Sequence, residues 1–201
     1  DIASKQGEFV YAIYKKFGEK IANNVYSIPT SKAAYEFTRK IYESLGLKVE
    51  NIEKDYTSYH LIENNRIING KNVKINDMSM KFDVIVGNPP YQESISSSSA
   101  NKSLSKQLFP SFIMTCVKLD STYLSLITPS RWFTGDAQDR SFLKLREFFQ
   151  KNNHIEKIVN FPASQEVFKG VGFPGAVNFF LYNSSHISGD VEFVEYKEDS
   201  E

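Results

Sequence analysis

Cysteine is almost missing. Cys116 stands alone in 201 residues, so no intrachain disulfide can form, and a reducing, cytoplasmic setting is expected. Histidine is scarce as well. His60, His154 and His186 show no metal-ligand spacing, and no metal is expected. No apolar run approaches the ~18 residues of a membrane span, no signal segment opens the chain, and no membrane partner is expected. Net charge is absent: 24 Lys and Arg balance 24 Asp and Glu. Charge alone therefore does not advertise nucleic acid, unless it is segregated or sits on another segment. Aromatics are plentiful, with 16 Phe and 11 Tyr. Most belong in a core, and the surplus leaves rings for stacking. The length suits one domain over 1–201. The chain begins at Asp1 rather than Met and reads as a piece of something longer.

Periodicity alternates between strand and helix. Phe9, Ile13 and Phe17 share one helical face, and Gly18 reads as its stop. Residues 24–29 read as a short strand ending at Pro29. Residues 31–45 read as a helix, with Ser31 as cap and Gly46 just beyond the end. The first strand of the sheet is expected before Asp1. Within 48–81, Asn69-Gly70 between β-rich runs predicts an inserted hairpin with a type I′ turn. KFDVIVG, without polar alternation after Asp83, reads as a buried central strand. The serine-rich stretch 92–105 reads as a flexible loop. A helix over 106–119, a strand over 122–128, a helix over 139–151 and strands at HIEKIVNF, AVNFFLYN and VEFVEY follow. The alternation predicts an α/β fold of the doubly wound kind.

In such a sheet, ligands sit beyond the carboxyl ends of the strands. Asn88-Pro89-Pro90-Tyr91 stands there, directly after VIVG. The prolines impose an extended path and offer no N–H. What remains is a set of acceptors: carbonyl oxygens and the Asn88 side-chain oxygen. Such a site suits an NH2 group conjugated to a ring. Two acceptors out of the ring plane draw the nitrogen toward tetrahedral geometry and stabilise the positive charge it gains on attacking an electrophile. Tyr91 supplies a flat face to hold the ring in line. The plainer reading of the same residues is a strand-ending turn.

FDVIVGNPPY resembles the amine-methylating motif of S-adenosylmethionine-dependent N6-adenine DNA methyltransferases. LFPSFIMTCVKLDSTYLSLITPSRWF, then LREFFQKNNHIEKIVNFPASQEVF and GAVNFFLY, resemble the segments that follow it in the gamma-order branch. The likeness is to Eco57I-type restriction-modification methylases and covers roughly residues 1–183. It implies a Rossmann-like methyltransferase fold with a mixed, mostly parallel sheet, S-adenosylmethionine as cofactor and double-stranded DNA as partner. Adenine is flipped out of the duplex in that family. By matching position, Asn88 and the Pro89 carbonyl hold the amine, with Pro90 shaping the turn. Tyr91 and Phe168 take the two faces of the base. Asp1, Ala3, Gly7, Asp77 and Asn88 fall at cofactor positions. A hairpin-end aspartate capping its turn is the other reading of Asp77.

Two departures from the family pattern bear on the cofactor. Lys5 stands where a glycine is usual, and Pro29, with Ser31 nearby, stands where a ribose-binding acid is usual. Glu36 is the nearest carboxylate, one helix turn on. A target-recognition region is expected after residue 201 and would carry most DNA contacts. Lys102, Lys106, Arg131 and Arg140 are either phosphate contacts or solvated charges. Cys116 and Trp132 read as packing, and Gly170, Gly172, Pro174 and Gly175 as a bend. Two other functions stay open on the residues: a protein-glutamine or RNA amine methyltransferase, and a nonenzymatic α/β module impaired in cofactor binding.

Overall fold

The computed structural model describes residues 1–63, 66–94, 105–168 and 175–196. Length alone argued for one domain; the structure divides into two compact units. The first comprises Asp1–Pro89 with Thr115–Ser121, the second Pro90–Met114 and the chain from Thr122 onward.

The first unit is built on β1 (Ile2–Ser4), a strand within the chain that the sequence did not suggest. Three residues ending in Ala-Ser carry too little β signal to be read as a strand, yet all three are buried. Helix α1 (Glu8–Phe17) and the short α2 (Glu19–Ala22) lead to β2 (Ile28–Pro29) and α3 (Lys32–Ser44). The Ser31 hydroxyl accepts from the Ala34 N–H, and Gly46 takes φ 69° just past the end of α3, both as the sequence predicted. The apolar stripes of α1 and α3 meet. Val10, Ala22, Tyr42, Leu47 and Ile52 form a buried cluster with Ile13, Ile41 and Leu45 packed against it. Each large side chain so buried contributes about 1.5–3 kcal/mol. The buried Tyr42 phenol donates to the Val25 carbonyl at 3.1 Å and shares a hydrogen bond with Ser27 Oγ at 3.0 Å. Desolvation pushes its pKa up to about 12.

The insertion within 48–81 is a three-stranded antiparallel sheet: β3 (Ile68–Asn69), β4 (Asn72–Ile75) and β5 (Met78–Met80). Asn69 pairs with Asn72, so the central turn residues are Gly70 and Lys71 rather than Asn69 and Gly70. The type I′ pattern, positive φ at both central residues, falls instead at Asn76 (46°) and Asp77 (67°), between β4 and β5. Burial of Ile67, Val73 and Ile75 fixes this register. Strand β6 (Val84–Gly87) completes the unit and pairs with β1, as β2 does, in parallel: the order is β6-β1-β2.

The second unit opens with β7 (Gln92–Ser94) and β8 (Ser105–Gln107), paired antiparallel. The stretch expected to be loop over 92–105 therefore begins and ends as a ladder, and its middle lies outside the described residues. Helix α4 (Phe109–Lys118) follows, with Phe109–Met114 in this unit and Thr115–Lys118 in the first. Strands β9 (Tyr123–Pro129), β10 (Ile155–Phe161), β11 (Val177–Asn183) and β12 (Glu192–Glu195) form a sheet in the order β12-β10-β11-β9, with α5 (Ser141–Asn152) between β9 and β10 in sequence. β10 pairs with β12 in parallel, and β11 runs antiparallel to β10 and β9. Phe149 and Phe180 meet edge to face at 5.6 Å in its core.

Cys116 is fully buried, and desolvation pushes its thiol from an ordinary 9.0 up to about 12. Iodoacetamide at pH 8 is expected to modify the folded protein about 10³-fold more slowly than the urea-unfolded chain, read by mass spectrometry. Equal rates would show an open core. Because the folded value lies above the unfolded one, this stabilising contribution is complete below pH 9.0 and is lost as pH rises toward 12.

Candidate active site

The parallel register places the carboxyl edge of the first unit. Ile2 faces both Ile28 and Gly87 across the sheet. One or two residues further along each strand lie Ala3–Gly7, Pro29–Ser31 and Asn88–Pro89. Ile52 makes a parallel bridge to Ser27, so Glu53–Tyr56 leaves at the same end.

Close approach of two backbones brings Asn88 there. A Cβ at Gly87 would stand 2.2 Å from the Ile2 carbonyl oxygen, so only glycine lets β6 lie this near β1 at that level. The Asn88 Oδ1 that follows is buried and has no hydrogen-bond partner. Both carboxylate oxygens of Asp1 are likewise buried without partners. Ala3 is buried at φ 63°, a left-handed conformation that costs a non-glycine residue about 1–2 kcal/mol. Its neighbour Ser4 is fixed on both sides: its hydroxyl meets Thr38 Oγ1 at 3.0 Å, and its carbonyl accepts from Thr30 N at 3.1 Å. Gly7, at φ 72°, begins α1, and a Cβ there would press Ile41 at 3.2 Å. Lys5 is exposed and outside the positive-φ region, so the turn does not require glycine at that position. Pro29 is buried at the end of β2 opposite Ser4. Glu36 is ion-paired to Arg39 at 2.7 Å on an exposed helix face.

Asp77 lies apart from these groups in the chain, exposed on the β4–β5 turn. That turn is tied to the edge segment. Asn76 N–H donates to Glu53 Oε2 at 2.6 Å, and Asn76 Nδ2 donates to the carbonyls of Glu50 and Ile52 at 2.8 and 2.9 Å. Glu53, Asp55 and Tyr56 were missed by the sequence reading. VENIEKDY is too charged to read as a sheet edge, and its one signal is an apolar Ile followed by an acid.

In the second unit, Tyr91 is held through its carbonyl, which accepts from Leu108 N at 3.0 Å. Burial raises its phenol well above the ordinary tyrosine range. Phe168 is half-buried, and its N–H donates to the Ser164 carbonyl at 2.8 Å. Trp132 packs in the core against Phe133 and Phe149 at 4.8 and 5.4 Å. Lys106, Arg131 and Arg140 are exposed, with the Arg131 guanidinium 5.8 Å from the Phe142 ring centre. Lys102, Gly170, Gly172 and Pro174 lie outside the described residues.

A cavity of about 550 Å³ in the first unit is lined by Asp1, Phe17, Tyr26, Val84 and Val86 among others, but not by Asn88, Gly7 or Asp77. Along β6, Val84 is exposed and Val86 half-buried while Ile85 and Gly87 are buried, so the strand alternates where its uniform sequence predicted burial throughout. Asp1 lends this largely apolar space its unpartnered carboxylate, while the carboxyl edge, with Asn88 Oδ1 unpartnered, is the better candidate for polar chemistry. Among the described residues, no three His, Cys, Asp or Glu side chains converge to hold a metal, and no helix is long and apolar enough to cross a membrane.

The chain resembles known proteins in sequence and in fold. The chain is 34% identical over 113 residues to an uncharacterized adenine-specific methylase of Mycoplasma pneumoniae, 56% of this chain but 26% of that protein. It therefore spans about a quarter of that relative's length. A type I restriction-modification methyltransferase subunit from Streptococcus thermophilus superposes with a TM-score of 0.65 at 14% identity, covering 96% of this chain and 40% of that one. A class I S-adenosylmethionine-dependent methyltransferase from Listeria monocytogenes, so described provisionally, superposes at 0.62 with 13% identity, covering 98% and 57%. These structures share the fold: α/β with a mixed, mostly parallel sheet, as the sequence implied. Residues 15–168, from within α1 to Phe168, match one family throughout, and the chain belongs to the Eco57I restriction-modification methylases.

Proposed function

We propose that this chain carries catalytic residues of a site-specific DNA adenine-N6 methyltransferase of a restriction-modification system. One observation carries the reading: Asn88 Oδ1, after the apolar strand β6, is buried with no donor. Leaving such an acceptor unpaired costs about 1–3 kcal/mol. A substrate N–H that completes it accounts for its retention. Asn88 Oδ1 and the Pro89 carbonyl would each accept one hydrogen of the adenine amine. Together they weaken its conjugation with the ring and stabilise the positive charge as the N–C bond forms. Tyr91 and Phe168 would stack on the flipped base, each contact worth about 1–3 kcal/mol.

S-adenosylmethionine suits the first unit's strand ends, where Asn88 Oδ1 lacks a partner and Gly7 opens the helix turn; the unpartnered Asp1 carboxylate lies one residue before Ile2, at the start of β1. Asp1, Ala3, Gly7, Asp77 and Asn88 would hold it. Bound there, the cofactor supplies an electrophilic methyl group. Duplex DNA would be the partner, with sequence choice made largely by a target-recognition region beyond this chain.

The test supplies the protein with tritiated S-adenosylmethionine and unmethylated duplex DNA. Label in N6-methyladenine after nucleoside digestion is the expected result. Transfer only to RNA or to protein glutamine, or no transfer at all, would overturn the reading.

A further inference from the structure

Glu53 is 2% exposed, yet its carboxylate meets no cation within ion-pair reach among the described residues. Three backbone donors satisfy it instead. Oε1 accepts from Asp55 N at 2.8 Å and Tyr56 N at 3.1 Å, and Oε2 accepts from Asn76 N at 2.6 Å. Asn76 reciprocates. Its Nδ2 donates to the carbonyls of Glu50 and Ile52, and its Oδ1 accepts from Lys54 N at 3.2 Å. Two side chains thus take up six backbone groups on two segments more than 20 residues apart in sequence. An apolar residue at 53 would close a turn's core at less desolvation cost. A carboxylate that receives three N–H groups fixes backbone direction instead, through charge-assisted bonds.

What it fixes is the end of the sheet. The backbone of Glu53 continues from the bridge of Ile52 to Ser27, with Glu53 N donating to the Ser27 carbonyl at 2.9 Å. Asp55 and Tyr56, both exposed, therefore leave at the carboxyl edge. Asn76 holds its turn at φ 46°, a conformation asparagine tolerates, and Asp77 follows it.

We propose that Glu53 and Asn76 form a positioning clasp that sets the strength of S-adenosylmethionine binding by locking Asp55, Tyr56 and the Asp77 turn at the edge of the cofactor site. Neither clasp residue touches the cofactor; both act through the backbone they hold. This inference rests on the methyltransferase reading above and adds to it a determinant of cofactor affinity. It also assigns the inserted three-stranded sheet a role, since its β4–β5 turn supplies half of the clasp.

The test compares wild type with Glu53→Gln, Asn76→Gly and a control, Gly46→Ala. Glutamine matches glutamate in size but turns an NH2 donor toward one of the three N–H groups. Glycine keeps the positive φ and removes the Asn76 side chain. Gly46→Ala strains a left-handed cap with nothing within 4 Å of the new Cβ, so it destabilises the fold away from the clasp. Two quantities are read: amide hydrogen exchange at Asp55, Tyr56 and Asn76, and the Kd for S-adenosylmethionine by calorimetry, with kcat at saturating cofactor where transfer is measured. Both clasp variants are expected to exchange faster at these amides and to bind cofactor roughly tenfold more weakly, the equivalent of one charge-assisted hydrogen bond. Their kcat should stay within about twofold, since binding rather than the transfer step is altered. The control should lose melting temperature with neither change. Unchanged exchange, or faster exchange with unchanged Kd, would overturn the clasp while a binding wild type leaves the methyltransferase reading intact. A wild type that binds no cofactor would overturn both.

Discussion

Asn88→Ala is expected to lower methyl transfer by about 10²–10³-fold, the usual cost of removing one preorganised group at a charge-developing atom. Cofactor affinity should fall by far less, since Asp1, Ala3, Gly7 and Asp77 remain to hold it. The same substitution is expected to raise the melting temperature. In the free protein, Asn88 Oδ1 is a buried acceptor without a donor, and removing an unsatisfied polar atom recovers part of about 1–3 kcal/mol of desolvation cost. For a chain of this size, 1 kcal/mol corresponds to roughly 2–4 °C. The opposed signs separate the catalytic reading from the plain one. If Asn88 only shaped the turn, alanine would lower stability and leave transfer in proportion to the folded fraction. Transfer within a few-fold of wild type, or a fall in melting temperature accompanying the loss, would sink the assignment. Scanning calorimetry and initial rates on the same preparation decide it.

The candidate site drew notice in the sequence because its pattern is local. Four consecutive residues with no N–H at two prolines, placed after an apolar strand, are rich in acceptors and poor in backbone donors, and the structure leaves Asn88 Oδ1 buried without a partner. Gly7 and the Ser31 cap were legible for the same reason: each acts within one turn of chain. What escaped is long-range. Glu53 matters through Asn76, 23 residues away, and nothing in VENIEKDY marks that pairing. The three residues of β1 are a strand because β2 and β6 flank them, not because Ile-Ala-Ser prefers to extend. The turn beside Asn69-Gly70 moved by one residue because burial of Val73 and Ile75 outweighs the local turn preference. Lys5 raised the question of whether a Cβ and a long side chain narrow the cofactor pocket, and the turn itself forms without glycine there. The backbone takes its positive φ at Ala3 and Gly7 instead. Pro29 did mark a real difference, since Glu36, the nearest carboxylate in the sequence, is engaged by Arg39.

Gly87→Ala should damage stability and cofactor binding together, and it is the change of smallest size with the largest expected structural effect. The added methyl would lie 2.2 Å from the Ile2 carbonyl oxygen, 2.7 Å from Ile2 Cγ1 and 3.1 Å from the Ile2 carbonyl carbon. Two of those atoms are backbone, so no rotamer change relieves the contact. β1 and β6 must separate, and overpacking of this kind costs about 1–3 kcal/mol. The penalty falls on the pairing that holds both halves of the site. Ala3–Gly7 continues from β1, Asn88 continues from β6, and Ile2 is matched to Gly87. Spreading that pair displaces Asp1 and Asn88 from each other, so S-adenosylmethionine affinity should fall more steeply than the folded fraction alone dictates. Gly70→Ala is the informative partner. Gly70, unlike Gly87, sits at positive φ, at 62°, and a Cβ there meets nothing within 4 Å. Its cost should be limited to the ~1 kcal/mol of left-handed strain, with cofactor binding unchanged. Urea denaturation of both variants, with calorimetric titration at a temperature where each is folded, gives the comparison. Equal Kd values in the two variants would show that the approach of β1 to β6 at Gly87 is a packing detail, and the placement of the cofactor at these strand ends would have to be abandoned.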